Sequence, residues 1–267
     1  MNKDISVITT LFKTPIQKLN NLKNYKKFKT LIYEQEAEKN SKIKLTKYLN
    51  FKFKYFSSPK NIGLSKSSNF LLKKVKTKYC LFTQADIQIS YQSILRLKRL
   101  LKKNKNIICI SPSFKFKKKF KEINFKKKIN LACVLIDVKK MRQIGFFDKD
   151  FFLYWEDIDL MDKINKSKFK MAEANHVLFK HDSSQSTESN NKILIIRSSN
   201  YIFGELLYDF KNRKIRIIKV IRKLIQNIIL FFFNIIRFKL KDSIKNYANF
   251  LGIIKFILFY IKKILKL

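Results

Sequence analysis

Asn130–Met171 reads "NLACVLIDVKKMRQIGFFDKDFFLYWEDIDLMDKINKSKFKM". Leu131–Ile136 is a continuous apolar run of strand length, and a short helical stretch follows it to Gly145. After the "GFFD" turn comes an aromatic run, then three carboxylates within four residues: Glu156, Asp157 and Asp159. Glu156 to about Ser167 has helical composition, and Met171–Phe179 returns to strand-like texture. A strand, a helix, a turn, a second helix and another strand form a unit of an α/β sheet. The acids are the anomaly. The chain carries 59 Lys+Arg against 19 Asp+Glu, a net charge of +40.

The same alternation extends upstream. Ile5–Phe12 is a β-branched apolar run, as expected of a strand buried on both faces. Pro15 opens a helical stretch to about Lys27, and Thr30–Glu34 forms a second strand. Phe51–Phe56 ("FKFKYF") alternates and predicts a third strand with one wet face. Leu64–Lys76 is helical, Tyr79–Thr83 a strand, Ser93–Lys103 a helix and Ile107–Ser111 a strand. Lys115–Lys128 interrupts with lysines and phenylalanines and is expected to be a mobile basic loop. "HDSSQSTESNN" (His181–Asn191) reads as polar loop.

From about Ile193 the texture becomes helical with long apolar runs. Leu224–Ile236 is uncharged, and Asn249–Leu267 is apolar with interspersed lysines. A bilayer span needs about 20 apolar residues, so neither run spans without carrying charge inside. Basic, aromatic-rich helices of this kind lie in a membrane interface, so a peripheral place on an anionic surface is expected. The charge has a blander source too: Lys, Asn, Ile, Phe and Tyr are abundant while Gly (4) and Pro (3) are scarce. Cys80, Cys109 and Cys133 are widely spaced among apolar neighbours, which predicts buried reduced thiols in a cytoplasmic chain. "MNKDISVITTLF" reads as a strand start rather than a secretion signal.

On a helix starting at Glu156, Asp157 falls at nearly the angle of Met161 and Ile164, in the apolar stripe, and Asp159 points the other way. Acids in a first turn suit the helix dipole, which accounts for Glu156 and Asp159. It does not account for an acid on the apolar arc. A carboxylate there is costly to desolvate, and burial raises its pKa toward that of a useful base.

The Asn130–Met171 segment resembles the second half of the catalytic domain of family 2 glycosyltransferases. That family has an apolar strand, a helix, a G-x-F-D turn, an aromatic run and an E-D-x-D-L helix. "NIGLSKSSNFLLKKVKTKYCLFTQADIQI" (Asn61–Ile89) resembles the family's N-x-G…N segment, strand and metal-site acid. "ISVITTLFKTP" resembles its first strand and "KHDSSQS" (Lys180–Ser186) its closing H-x-x-x-x-S element. The match covers about residues 4 to 200 in family order, closest to the rhamnosyltransferase-like branch. It implies a GT-A fold: an α/β, Rossmann-like, mostly parallel sheet flanked by helices. Residues 1–204 are then the catalytic domain and 205–267 a basic amphipathic helical extension.

The resemblance also implies roles. Asp157 matches the catalytic base of an inverting displacement, with Glu156 and Asp159 supporting it. Tyr154 and Trp155 would form an acceptor platform. Asp86 matches the last acid of the D-x-D motif and would hold Mg²⁺ or Mn²⁺, although Gln84 replaces the first acid. His181 would be a further metal ligand or phosphate donor. Glu34 stands where the family has an Asp that contacts the nucleotide base. Asn61, Gly63, Asn69 and Thr10 would line the donor site, and Arg197 would contact diphosphate. Rhamnose from its dTDP donor is the implied sugar, and a lipid-linked or polysaccharide glycan at the inner face of the cell membrane the implied acceptor. Two other readings compete: an inactive family member acting as a membrane scaffold, suggested by Gln84, and a basic nucleic-acid-binding protein. The second leaves the acidic segment unexplained, so no nucleic-acid partner is expected.

Overall fold

The computed structural model describes residues 2–115, 121–181 and 190–265. In chain order it contains β1 (Ile5–Phe12), a 3-10 helix (Ile16–Tyr25), β2 (Lys29–Gln35), α1 (Ser41–Leu49), β3 (Phe53–Ser58), α2 (Leu64–Lys74), β4 (Tyr79–Thr83) and β5 (Ile87–Gln88). There follow α3 (Tyr91–Lys103), β6 (Ile107–Ser113), β7 (Ile123–Lys126), β8 (Cys133–Asp137), α4 (Val138–Ile144), α5 (Glu156–Asn165), β9 (Lys170–Leu178) and β10 (Lys180–His181). The chain closes with α6 (Asn191–Lys211), α7 (Ile217–Ile236) and α8 (Leu240–Ile264).

Eight strands form one sheet in the order β3-β2-β1-β4-β8-β6-β9-β7. Strands β1 to β4, β6 and β9 run one way, while β8 and β7 oppose them. The sheet is therefore mixed and mostly parallel, as the strand–helix alternation predicts. Its central strands are buried almost throughout because helices cover both faces. Ile5 and Val7 pack with Leu22 of the 3-10 helix, Leu45 of α1 and Leu97 of α3. Ile8, on the opposite face, packs with Leu71 and Leu72 of α2, Met141 of α4 and Ile164 of α5. All three cysteines are free and buried, as expected.

The described residues group into two compact units, Met1–Asp148 with Asp157–Glu188, and Lys149–Glu156 with Ser189–Leu267. A boundary expected at residue 204/205 thus falls inside α6, one continuous helix. In the second unit α8 packs against both α6 and α7. Gly252 lets α8 approach α6 closely: a Cβ there would lie 2.2 Å from the Ser199 carbonyl oxygen.

Three local readings are corrected. The basic loop expected over 115–128 includes an edge strand, β7, paired antiparallel with β9; residues 116–120 of that loop lie outside the described residues, as do 182–189 of the polar loop. Asp159, expected on the outer face of its helix, is 7% exposed and pairs with Lys163 at 2.7 Å. The reason is that α5 is covered over an arc wider than one stripe: Glu156, Asp159, Leu160, Met161 and Ile164 are all buried. Helix α8 begins at Leu240 rather than near Asn249, and is long and apolar enough to cross a membrane by length and composition.

Candidate active site

Parallel strands bring their C-terminal ends to one edge of the sheet, where open α/β sheets bind ligands. At that edge β4 ends at Thr83, and the chain turns through Gln84 and Ala85 to Asp86. The Gln84 amide donates to the Ala132 carbonyl at 3.1 Å, and the Ile87 amide donates back to the Gln84 carbonyl. Tyr25, fully buried, supports this turn: its hydroxyl lies 3.4 Å from Thr83 Oγ1 and donates to the Ile87 carbonyl. Strand β5 pairs antiparallel with β10, and His181 stands opposite Ile87. His181 Nε2 is consequently 3.4 Å from Asp86 Oδ2. Asp86 is 4% exposed, and its Oδ1 has no hydrogen-bond partner among the described residues.

Thr10 and Glu34 sit near the same ends of β1 and β2, in the register that pairs Thr10 with Tyr33. Beyond them Lys13 and Glu36 both take left-handed backbone angles, φ 47° and 52°, and their side chains pair at 3.1 Å. A cleft of about 500 Å³ opens here, lined by Leu11, Lys13, Pro15, Glu34, Glu36 and Leu45 among others. Tyr55 donates to Glu34 Oε2 at 2.7 Å; burial, then this carboxylate, pushes the Tyr55 hydroxyl pKa up. After β3, Asn61 Oδ1 accepts from the Gly63 amide at 3.0 Å, and Gly63 adopts φ 86° to start α2. Asn69 behaves differently. Its Nδ2 donates to the Phe147 carbonyl and its Oδ1 accepts from the Phe147 amide. Both ends of the carboxamide therefore hold the "GFFD" turn.

Asp157 occupies the first turn of α5 and is half-buried. Burial raises its pKa above the usual carboxylate value, partly offset by the Ile158 amide donating to Oδ1 at 2.8 Å and by the charge of Lys128. Two contacts fix how α5 runs along the segment before β8. Asn165 Nδ2 donates to the Lys127 carbonyl, and the Ile129 amide lies 3.3 Å from Met161 Sδ. Moving back along the helix thus means moving forward toward Ala132, the residue bonded to Gln84. On this course the first turn, with Asp157, runs toward the segment that leads into β8.

The family model described as "Glycosyl transferase family 2" matches residues 13–160, more than half of the chain. The chain belongs to glycosyl transferase family 2. Solved structures with this fold agree. GalNAc-T7, solved with UDP, GalNAc and Mn²⁺, aligns with a TM-score of 0.60 at 13% identity, covering 76% of this chain and 48% of that one. The mannosyltransferase PcManGT from Pyrobaculum calidifontis, with GDP-Man and Mn²⁺, gives 0.57 at 11%, covering 78% and 65%. TarS from S. aureus gives 0.53 at 14%, covering 73% and 39%. The chain thus spans less than two thirds of the length of each of these structures. No curated protein matches.

Within this family 2 chain, Thr10, Glu34, Asn61, Gly63, Gln84, Asp86, His181 and Asp157 all belong to the first unit. Tyr154, Trp155, Glu156 and Arg197 belong to the second. There Trp155 packs on Tyr208 and Tyr201 at ring distances of 5.4 and 5.9 Å, and Gly204 leaves room for it. Tyr154 packs edge-on against Tyr201; burial raises its pKa, and the nearby Arg197 opposes that shift. Tyr154 and Trp155 both have positive φ, 68° and 67°, a conformation that aromatic residues rarely adopt and that concentrates at functional sites. Sequence reading missed this pair of angles, since no glycine marks them, and it missed Tyr25 and Tyr55 as buttresses. The pairing register, which sets Tyr55 beside Ile32 and within reach of Glu34, is visible only in the structure.

A divalent cation fits this edge. The unpartnered buried Oδ1 of Asp86 could serve as one ligand and His181 as a second. No cluster of three His, Cys, Asp or Glu is present among the described residues. Ligands beyond those two would then come from diphosphate oxygens and water, the usual arrangement for Mg²⁺ at phosphates.

Proposed function

We propose that this chain is an inverting glycosyltransferase that moves a sugar from a nucleoside-diphosphate donor to an acceptor hydroxyl. One observation carries the reading: Asp157 is a half-buried carboxylate whose pKa burial raises, in a chain whose β4 edge carries Asp86 with a buried, unpartnered Oδ1. In the proposed step Asp157 accepts the acceptor's hydroxyl proton as that oxygen bonds to the anomeric carbon. The bond from that carbon to the diphosphate oxygen breaks, the nucleoside diphosphate leaves, and configuration inverts. A bound cation would supply charge stabilisation for the diphosphate. Asp86 and His181 would hold it, and Glu34, steadied by Tyr55, would read the nucleotide base from the cleft beside β1 and β2.

Similar structures support the donor class, having been solved with UDP, GDP-Man or UDP-GlcNAc, and two of them with Mn²⁺. Family resemblance suggests rhamnose as the sugar. A lipid-linked glycan acceptor at the inner face of the membrane accords with the basic, apolar C-terminal helices. Thermal unfolding with a panel of nucleotide-sugars, with and without Mn²⁺, tests the donor site. A ligand at 100 times its Kd adds about 2.7 kcal/mol to stability. The true donor raises Tm only with the cation present; no shift with any nucleotide-sugar contradicts the reading.

A further inference from the structure

Helix α7 has the most exposed apolar surface in the described chain. Val220 and Asn227 are its buried residues, and they define an inner arc with Leu224 and Phe231 between α7 and the rest of its unit. The opposite arc carries Ile218 (73% exposed), Ile221, Ile225, Ile229, Phe232 and Ile236 (75% exposed). These positions repeat every three or four residues, so they form one stripe along a helix about 30 Å long. Singly exposed apolar residues are ordinary, but a contiguous stripe of this length marks an interaction surface.

Charge decides what covers it. From Phe210 to Lys241 the chain has ten Lys or Arg and no Asp or Glu. The acids nearest in sequence on the preceding helix, Glu205 and Asp209, are paired with Lys219 and Lys223 at 2.5 to 3.1 Å. Arg216 and Arg222, near the start of the stripe, have no ion pair among the described residues, and Arg237 stands at its other end. A second copy of the chain would set like charges against each other. An anionic lipid surface takes both features: isoleucines and phenylalanines enter the acyl boundary while the arginines meet headgroups.

We propose that α7 is the membrane-docking element, lying in the plane of an anionic bilayer, and that α8 does not span it. The proposal rests on the membrane-acceptor part of the function above and specifies which surface makes the contact. Composition alone favours α8 as the membrane segment, because it is the helix long and apolar enough to cross. Packing ties one face of α8 to its unit, although Leu240, Leu258, Ile261 and Ile264 on the helix remain exposed. It touches both α6 and α7, it buries Ser243, Asn246, Ala248, Gly252, Ile253 and Phe256, and Gly252 presses against Ser199. Removing α8 into lipid would unpack all of these.

The test is sedimentation of the full chain with vesicles of phosphatidylcholine containing about a third phosphatidylglycerol, with no nucleotide-sugar present. The wild type is expected to bind, to bind several-fold less on pure phosphatidylcholine, and to be released from native membranes by alkaline carbonate. Ile221→Asp with Ile225→Asp is expected to weaken vesicle binding at least tenfold with unchanged Tm. Ile43→Asp, at a still more exposed isoleucine of the first unit, should leave it intact. Failure of the wild type to bind, or equal binding by the double variant, overturns the proposal. So does resistance to carbonate, which would make α8 a span. A wild-type dimer split by the same double variant, without lipid affinity, would assign the stripe to a second copy and also overturn it. Because no donor is present, this outcome is independent of whether the sheet edge binds nucleotide-sugar.

Discussion

Asp157 is the residue on which the proposed chemistry turns, and its pKa gives two expectations of opposite sign. Burial lifts the pKa above that of an ordinary aspartate. A raised folded pKa means stability that is present at low pH and lost as pH rises through that pKa, so at neutral pH ionised Asp157 costs stability. Asp157→Asn keeps the acceptor for the Ile158 amide and removes the charge. Its Tm at pH 7 should equal or exceed that of the wild type, while sugar transfer falls by about 10²- to 10⁴-fold, the usual worth of a general base. The same carboxylate must be ionised to act, so wild-type kcat should fall on the acid side with a midpoint above the ordinary aspartate value. Asp86 and His181 give a separate expectation. Asp86→Asn should abolish the Mn²⁺-dependent rise in Tm with donor, and His181→Ala should weaken it, as read by differential scanning fluorimetry.

Elements with one dominant period were legible in the sequence, and elements stabilised by their neighbours were not. Tyr79–Thr83 was placed to the residue because it is apolar throughout and flanked by polar residues. The alternation of Phe51–Phe56 likewise announced β3, shifted by two residues. Helix α1 was missed. "SKIKLTKYL" has three lysines and buries only Ser41, Leu45 and Leu49, and the 3-10 helix packed beside it completes it. Strand β7 was hidden by the lysines around it; its partner β9 makes it a strand. The angle argument for Asp157 read one helix face correctly, yet it misjudged Asp159, because a periodic pattern cannot show that a second surface also covers the helix. The close approach at Gly252 was equally invisible, since a lone glycine in an apolar run has no signature of what it meets. Gly252→Ala should cost about 1–3 kcal/mol by overpacking α8 against the α6 backbone, measured by urea unfolding.

At the scale of the whole molecule, a net charge of +40 coexists with the buried carboxylates Asp86, Glu156 and Asp159. Glu156 and Asp159 of α5 are buried, while Arg216 and Arg222, without an ion pair among the described residues, lie near the start of the exposed stripe of α7. Removing everything beyond about residue 210 would strip α6 of its cover, exposing Ile202, Phe203, Leu206 and Leu207. Such a truncation is expected to aggregate rather than to yield a clean soluble enzyme, which sedimentation velocity would show. Surface substitutions on α7 therefore separate docking from folding where deletion does not. The most direct measurement of the catalytic assignment is release of nucleoside diphosphate from the stabilising nucleotide-sugar, with Mn²⁺ and membrane lipid extract, by wild type and Asp157→Asn. The expected result is turnover by the wild type and loss of turnover by the variant, although the variant still binds the donor. Equal turnover by the two proteins would contradict the assignment of Asp157 as the base.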